Sequence, residues 1–150
     1  MSERTVVSQE ERVLAAVAHG SIVLGLLPSG LGGIAVALVI WLTQKEESPY
    51  AAFQALQAAV YQVVTFVVSL LTWVCWGMAW MAMLLPPLFL NPAAYDKAPP
   101  VGLWVGLLLL VAPIAVSVLI LLYGLWATVR CLGGQDFEYA IIGRWLASHK

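Results

Sequence analysis

Three stretches without one charged side chain, 13–44, 48–95 and 98–129, take up most of this 150-residue chain. The charges are confined to short clusters: Glu3 to Arg12, Lys45 to Glu47, Asp96-Lys97, and Arg130 to Lys150. A helix that crosses a bilayer needs ~20 apolar residues, so these windows have room for about four. A soluble core of this size also needs a polar surface, and soluble chains carry about 25% charged residues. Here the charged fraction is 10% against 62% hydrophobic, with a mean hydropathy of +0.91. The expected fold is an all-α polytopic membrane protein, a single domain over residues 1–150.

Ser8-Gln9-Glu10-Glu11 has the pattern of a capping box and starts a first helix over about 9–27. The segment before it mixes Glu with Arg, and Ala15, Ala16 and Ala18 open the apolar run, so a cleaved signal peptide is not expected. Pro28-Ser29-Gly30 breaks the helix, and a second follows over about 31–44. At 1.5 Å per residue the second is only about 20 Å long, short for a ~30 Å hydrocarbon core. A thin spanning hairpin covered by neighbouring helices is expected, with a re-entrant hairpin as the alternative.

The hinge Lys45-Glu46-Glu47 follows, and Ser48-Pro49 supplies an N-cap and a proline at the first helical position. The apolar run beyond is too long for one perpendicular span. An interfacial helix over about 49–61 is expected to bend into a third span at about 62–85, which Pro86-Pro87 should end. Gln54, Gln57, Tyr61, Thr65, Ser69, Thr72 and Trp76 recur at steps of three or four, a stripe of hydrogen-bonding groups expected to face partner helices. The fourth span, about 101–130, carries Gly102, Gly106, Ser117 and Gly124 in a close-packing seam, with Pro113 as a kink. The tail, about 135–148, places Phe137, Ile141, Ile142, Trp145 and Leu146 against charged residues, as a short amphipathic segment on the membrane would.

With four spans, Arg4, Arg12, Lys45, Arg130, Arg144 and Lys150 share one side and Lys97 lies opposite. The positive-inside rule then puts both termini in the cytoplasm of a prokaryotic cell membrane.

Several marks resemble one family of small bacterial membrane proteins. They are His19, Trp41-Leu42, Lys45-Glu46-Glu47-Ser48-Pro49-Tyr50, Ala55, Ala58, Tyr61-Gln62, and Ala127 through Gly134 with Phe137-Glu138-Tyr139. The family is Tic-twenty-like, a domain of unknown function similar to a component of the chloroplast inner-envelope protein translocon. The chain departs from its pattern at Ala51, Ala52 and Phe53, and at Ala140. The resemblance implies four helices with both termini cytoplasmic and no established activity.

Signs of enzymatic chemistry are missing. No carboxylate lies in the charge-free windows, no Ser-His-Asp set can be assembled from them, and there is no metal-ligand cluster or phosphate loop. Cys75 and Cys131 form neither a disulfide framework nor a zinc pattern. A net charge of −1 gives no case for nucleic acid. His19 is the one histidine in a window, a candidate cofactor-binding residue for haem or a pigment, or else a hydrogen-bonding partner of the glutamine stripe. Trp73, Trp76 and Trp80 lie at helical spacing, as packing or lipid-facing aromatics do. No cofactor is expected. The function expected is a non-catalytic accessory or scaffold subunit, with the bilayer and other membrane proteins or further copies as partners. A component of a conducting, translocon-like path is the alternative, and a pigment- or haem-associated subunit the third.

Overall fold

A computed structural model describes residues 7–26, 30–90, 92 and 99–148. Expectations that rest on Arg4, Pro28-Ser29, Asp96-Lys97 and His149-Lys150 fall outside these residues. Among the described residues every regular element is a helix: α1 (Gln9–Gly20), α2 (Gly32–Gln44), α3 (Pro49–Leu90), α4 (Val101–Leu109), α5 (Val111–Leu132) and α6 (Ile142–Ala147), with a 3-10 helix at Ser21–Leu26. Two helical stretches, Pro49–Leu90 and Val101–Leu132, are long and apolar enough to cross a membrane, while Gly32–Gln44 is apolar but shorter. By packing the chain divides into two units, one of residues up to Phe66 together with those from Ile120 on, the other Val67–Leu119.

The first helix starts where the sequence says. Ser8 Oγ accepts from the Glu11 backbone N–H at 3.2 Å, and Glu11 Oε2 accepts from the Ser8 N–H at 2.7 Å, a complete capping box. It does not stay α-helical to residue 27, because the chain tightens to a 3-10 helix at Ser21. The Ser21 hydroxyl reaches both the Ala18 and Gly33 carbonyls, at 2.7 and 3.0 Å, and so ties this end of the helix to α2. A Cβ at Gly33 would collide with Gln62 Oε1 and the Ser21 carbonyl, so only glycine permits that approach.

α3 runs unbroken from Pro49 to Leu90, about 63 Å at 1.5 Å per residue. No break separates an interfacial part from a span, and Pro86-Pro87, expected to end the helix, lie inside it. Pro86 and Pro87 deprive the Ala82 and Met83 carbonyls of their helical donors, and the helix ends three residues beyond Pro87, at Leu90. Pro113 does interrupt the next helix. Its missing N–H leaves the Leu109 carbonyl without its helical donor, and α4 gives way to α5 at Leu110.

The end of α5 is set by Gly134, at φ 68°. The Gln135 N–H bonds the Arg130 carbonyl at 3.1 Å and the Gly134 N–H that of Cys131 at 2.9 Å, the paired bonds of a Schellman cap. The cap turns the chain back on itself. Residues 135–139 form no regular secondary structure, and Phe137 and Tyr139 are buried. This corrects the expectation of an amphipathic surface segment over 135–148: the aromatic side chains at its start point into the core, and only the six residues Ile142–Ala147 are helical.

In the first unit, alanines let the helices close. Ala18 of α1, Ala37 of α2 and Ala55, Ala58 and Ala59 of α3 form one buried cluster with Ile40. A second cluster joins Ala15, Ala16 and Ile22 to Tyr61, Ala127, Cys131, Phe137 and Tyr139. Gly124 accommodates Ile22, whose Cδ1 would lie 2.8 Å from an added Cβ.

In the second unit the tryptophans meet the small-residue positions of α4 and α5. Trp76 Nε1 donates to the Gly106 carbonyl at 3.0 Å, and the Trp80 indole fills the space where a Gly106 side chain would be. Trp73 Nε1 donates to Ser117 Oγ at 3.3 Å, which itself donates to the Pro113 carbonyl at 2.9 Å. An added Cβ at Gly102 would lie 3.0 Å from the Met83 carbonyl oxygen. In this unit the contacts of the seam are therefore with the chain's own α3.

Candidate functional site

The most polar part of the interior lies in the first unit, where α1 and α3 hold the tail. Gln54 and Gln57 stand one helical turn apart on α3 and are buried beside His19 of α1. Both glutamines donate from Nε2 to the Phe137 carbonyl, at 3.1 and 3.2 Å. Gln57 Oε1 accepts from the Tyr139 N–H at 3.2 Å. Its amide therefore pairs with the tail as the backbone of a neighbouring β-strand would. Without these partners the tail's N–H and C=O groups would be buried and unpaired.

His19 completes the arrangement. Its Nε2 lies 3.1 Å from Gln54 Oε1 and its Nδ1 3.1 Å from the Tyr139 hydroxyl. The Gln54 oxygen can only accept, so Nε2 carries the proton, and Nδ1 accepts from the tyrosine. Each polar atom then has a role consistent with its neighbours. The Cys131 thiol adds a weak donor to Gln54 Oε1 at 3.7 Å. Burial pushes the Tyr139 phenol far above the usual tyrosine range, so it remains a proton donor.

Aromatic rings enclose the network. Tyr61 stacks on Tyr139 with ring centres 4.1 Å apart and planes 9° from parallel. Tyr123 and Phe137 meet Tyr139 edge-on at 5.3 and 4.9 Å, and Phe137 also meets His19 at 5.8 Å. The Tyr61 hydroxyl donates to the Ile120 carbonyl at 2.8 Å. Offset and edge-on pairs of this kind are each worth ~0.5–1.5 kcal/mol beyond their area.

The structure brings together Gln54, Gln57, Tyr61 and His19, and separates them from the rest of the stripe. Thr65 and Thr72 donate to carbonyls of their own helix, at Tyr61 and Val68, and Ser69 is half-buried in the second unit. Both nitrogens of His19 are hydrogen-bonded within the chain and its ring is fully buried. Gln62, outside the selected stripe, is an equal member of the interior. Its Nε2 donates to the Ala18 carbonyl and to Ser21 Oγ, both at 3.1 Å. Tyr139 and the Phe137 carbonyl were legible only as marks of resemblance, because a tail folded into the core has no periodicity to reveal it.

The hinge holds the other end of the unit. Ser48 Oγ accepts from the Ala51 N–H at 3.1 Å and donates to Glu11 Oε1 at 2.6 Å. Lys45 and Glu46 form an exposed ion pair at 3.9 Å, and Glu47 accepts from Gln44 Nε2 at 3.4 Å. Pro49 is the first residue of α3. Among the described residues no group of three His, Cys, Asp or Glu could hold a metal ion. The arrangement is one that fixes a fold.

No curated protein and no solved structure matches the chain. The magnetosome magnetite crystal formation protein family matches it over residues 10–146. That finding overturns the Tic-twenty-like resemblance, whose hinge and tail marks are residues with internal partners here. Because the match takes in α1, the hinge, all of α3 and the docked tail, the chain belongs to the MamF/MmsF family of magnetosome magnetite crystal formation proteins.

Proposed function

We propose that this protein is a non-catalytic membrane scaffold acting in magnetite crystal formation, through helix packing with other membrane proteins or further copies of itself. The match to a crystal-formation family over residues 10–146 is the observation that carries this reading. The side-chain chemistry supports it. His19, Gln54, Gln57 and Gln62 are occupied by the chain's own groups, while the outward helix faces are apolar, with Leu71, Met78 and Leu119 each more than half exposed. In this reading His19 is a structural hydrogen-bonding residue, and no cofactor is assigned. The bilayer covers the exposed faces. Four spans, with α1 and α2 as a thin hairpin, put both termini on the cytoplasmic side, as the distribution of Lys and Arg supports.

The test is deletion and complementation in the producing cell, read by electron microscopy of crystal size and number and by affinity capture from membranes. Deletion is expected to change the crystals, the wild-type chain to restore them, and stable membrane partners or self-association to be captured. Unchanged crystals after deletion would refute the role. Conductance by the purified chain alone in liposomes would replace the scaffold with a conduit, and turnover abolished by His19→Ala would make it an enzyme.

A further inference from the structure

The tail of the first unit is held as a short peptide ligand is held. Phe137 and Tyr139 are buried, whereas Gln135, Asp136, Glu138, Ala140 and Ile141 around them are exposed. The dock is therefore confined to two aromatic side chains and the main chain between them. Side chains meet that main chain: Gln54 and Gln57 Nε2 donate to the Phe137 carbonyl, and Gln57 Oε1 accepts from the Tyr139 N–H. The Tyr139 ring lies flat on Tyr61, and its hydroxyl donates to His19 Nδ1. Main-chain pairing for affinity and side-chain pockets for specificity are how proteins bind linear segments of other chains. The groups that bond this segment lie on α1 and α3, so its continuity with α5 is not what holds it.

The connection to α5 is short and depends on one glycine. The turn back into the unit needs Gly134 at φ 68°, and an added Cβ there would also lie 2.6 Å from Arg12 Cζ. With the cap opened, the five residue steps from Leu132 to Phe137 reach roughly 17 Å. A released tail can therefore enter only the slot of a copy that lies beside the end of its own α5. That end presents Trp126, Val129 and Leu132, at steps of three and each more than half exposed.

We propose that the slot formed by His19, Gln54, Gln57 and Tyr61 is a peptide-binding site that also takes the Phe137-Glu138-Tyr139 segment of a second copy, so that two copies are joined by exchanged tails. An exchanged pair keeps every bond of the dock and gives up only the two cap bonds at each hinge. Exchange of an identical segment is for that reason a low-cost route to a dimer. The proposal rests on the self-association in the scaffold reading and gives it residues.

Full-length copies carrying two different tags are co-expressed, extracted in mild detergent and captured through one tag. Wild type is expected to bring down both tags. Gln57→Leu spoils the slot and Tyr139→Ala spoils the tail, and each should pair with itself about tenfold less. Co-expressed, the two variants should recover part of the pairing, because the intact tail of the first meets the intact slot of the second. A purely structural role for these residues cannot produce that recovery. If Gln57→Leu does not fold, Gln54→Leu takes its place in the mixture. Gly134→Ala should raise the dimer about tenfold, since its left-handed backbone strains the unexchanged chain and not the opened hinge. Wild type captured without its differently tagged copy, no recovery in the mixed pair, or a Gly134→Ala chain with a loosened tail and no added dimer would each overturn the exchange. Equal capture of wild type and both variants would overturn it too, while leaving the scaffold reading standing on the helix faces. Unchanged crystals after deletion, with exchange intact, would remove the scaffold reading alone.

Discussion

Ser48 and Glu11 share one hydrogen bond, 2.6 Å from hydroxyl to carboxylate, that joins the starts of two helices. The serine oxygen also caps α3 through the Ala51 N–H, and the other glutamate oxygen closes the capping box of α1. Neither cap is independent. The carboxylate that completes one is held by the hydroxyl that makes the other, so the angle at which α3 leaves the hinge is coupled to the start of α1. A motif of four residues at the N-terminus and a Ser-Pro pair forty positions later act as one joint.

Ser48→Ala removes both roles at once. Loss of an N-cap costs about 0.5–2 kcal/mol, and loss of the part-buried bond to Glu11 adds a further fraction of that. A destabilisation of about 2 kcal/mol is expected by thermal unfolding in detergent. Ser48→Thr keeps the hydroxyl and should recover most of it. If Ser48→Ala melts with wild type, the joint does not contribute to stability.

The tail is expected to depend on one amide. Gln57→Leu leaves the Tyr139 N–H without its acceptor and takes one of two donors from the Phe137 carbonyl. Burying an unpaired group costs about 1–3 kcal/mol, so the tail segment should open locally before the helices unfold. Hydrogen exchange at residues 137–139 is expected to rise by at least tenfold, with α2 unaffected. Exchange unchanged at Tyr139 would show that the aromatic contacts alone hold the tail.

His19→Leu tests whether the ring matters for its nitrogens or its shape. Leucine fills much of the space but leaves Gln54 Oε1 with only the weak Cys131 contact and the Tyr139 hydroxyl with no acceptor. A loss of about 2–4 kcal/mol is expected from two stranded groups. Gln54→Leu combined with His19→Leu should cost less than the sum of the single changes, because the two share a bond. An additive double mutant would break the network into independent parts.

The membrane class was legible because it depends on composition, which no tertiary contact can reverse. The capping box and the Ser-Pro start were legible because they are local: every partner lies within three residues. The half of the stripe at Gln54, Gln57 and Tyr61 was visible as helical spacing, but its partner was not, since the Phe137 carbonyl is eighty positions away. A helical period cannot show that an irregular segment docks beside it. Gln62, named only as a mark of resemblance, was left out of the stripe because it faces Ser21 and the Ala18 carbonyl, away from the side that binds the tail. The Pro86-Pro87 pair marked the end of the helix to within three residues, and Pro113 interrupted the helical stretch it stands in.

The second unit offers a test confined to tryptophan. The Trp80 indole occupies the place of a Gly106 side chain, and Trp76 donates to the Gly106 carbonyl. The two indoles lie 4.9 Å apart, so displacement of one disturbs the other. Gly106→Val must push Trp80 aside, and overpacking of this kind costs about 1–3 kcal/mol. Tryptophan fluorescence should shift and its acrylamide quenching increase, while the helix content stays that of wild type. Gly77→Ala is the control, because an added Cβ there meets nothing within 4 Å. If Gly106→Val leaves the emission unchanged and Gly77→Ala alters it, α4 does not pack on the tryptophan face of α3, and the seam must serve a partner instead.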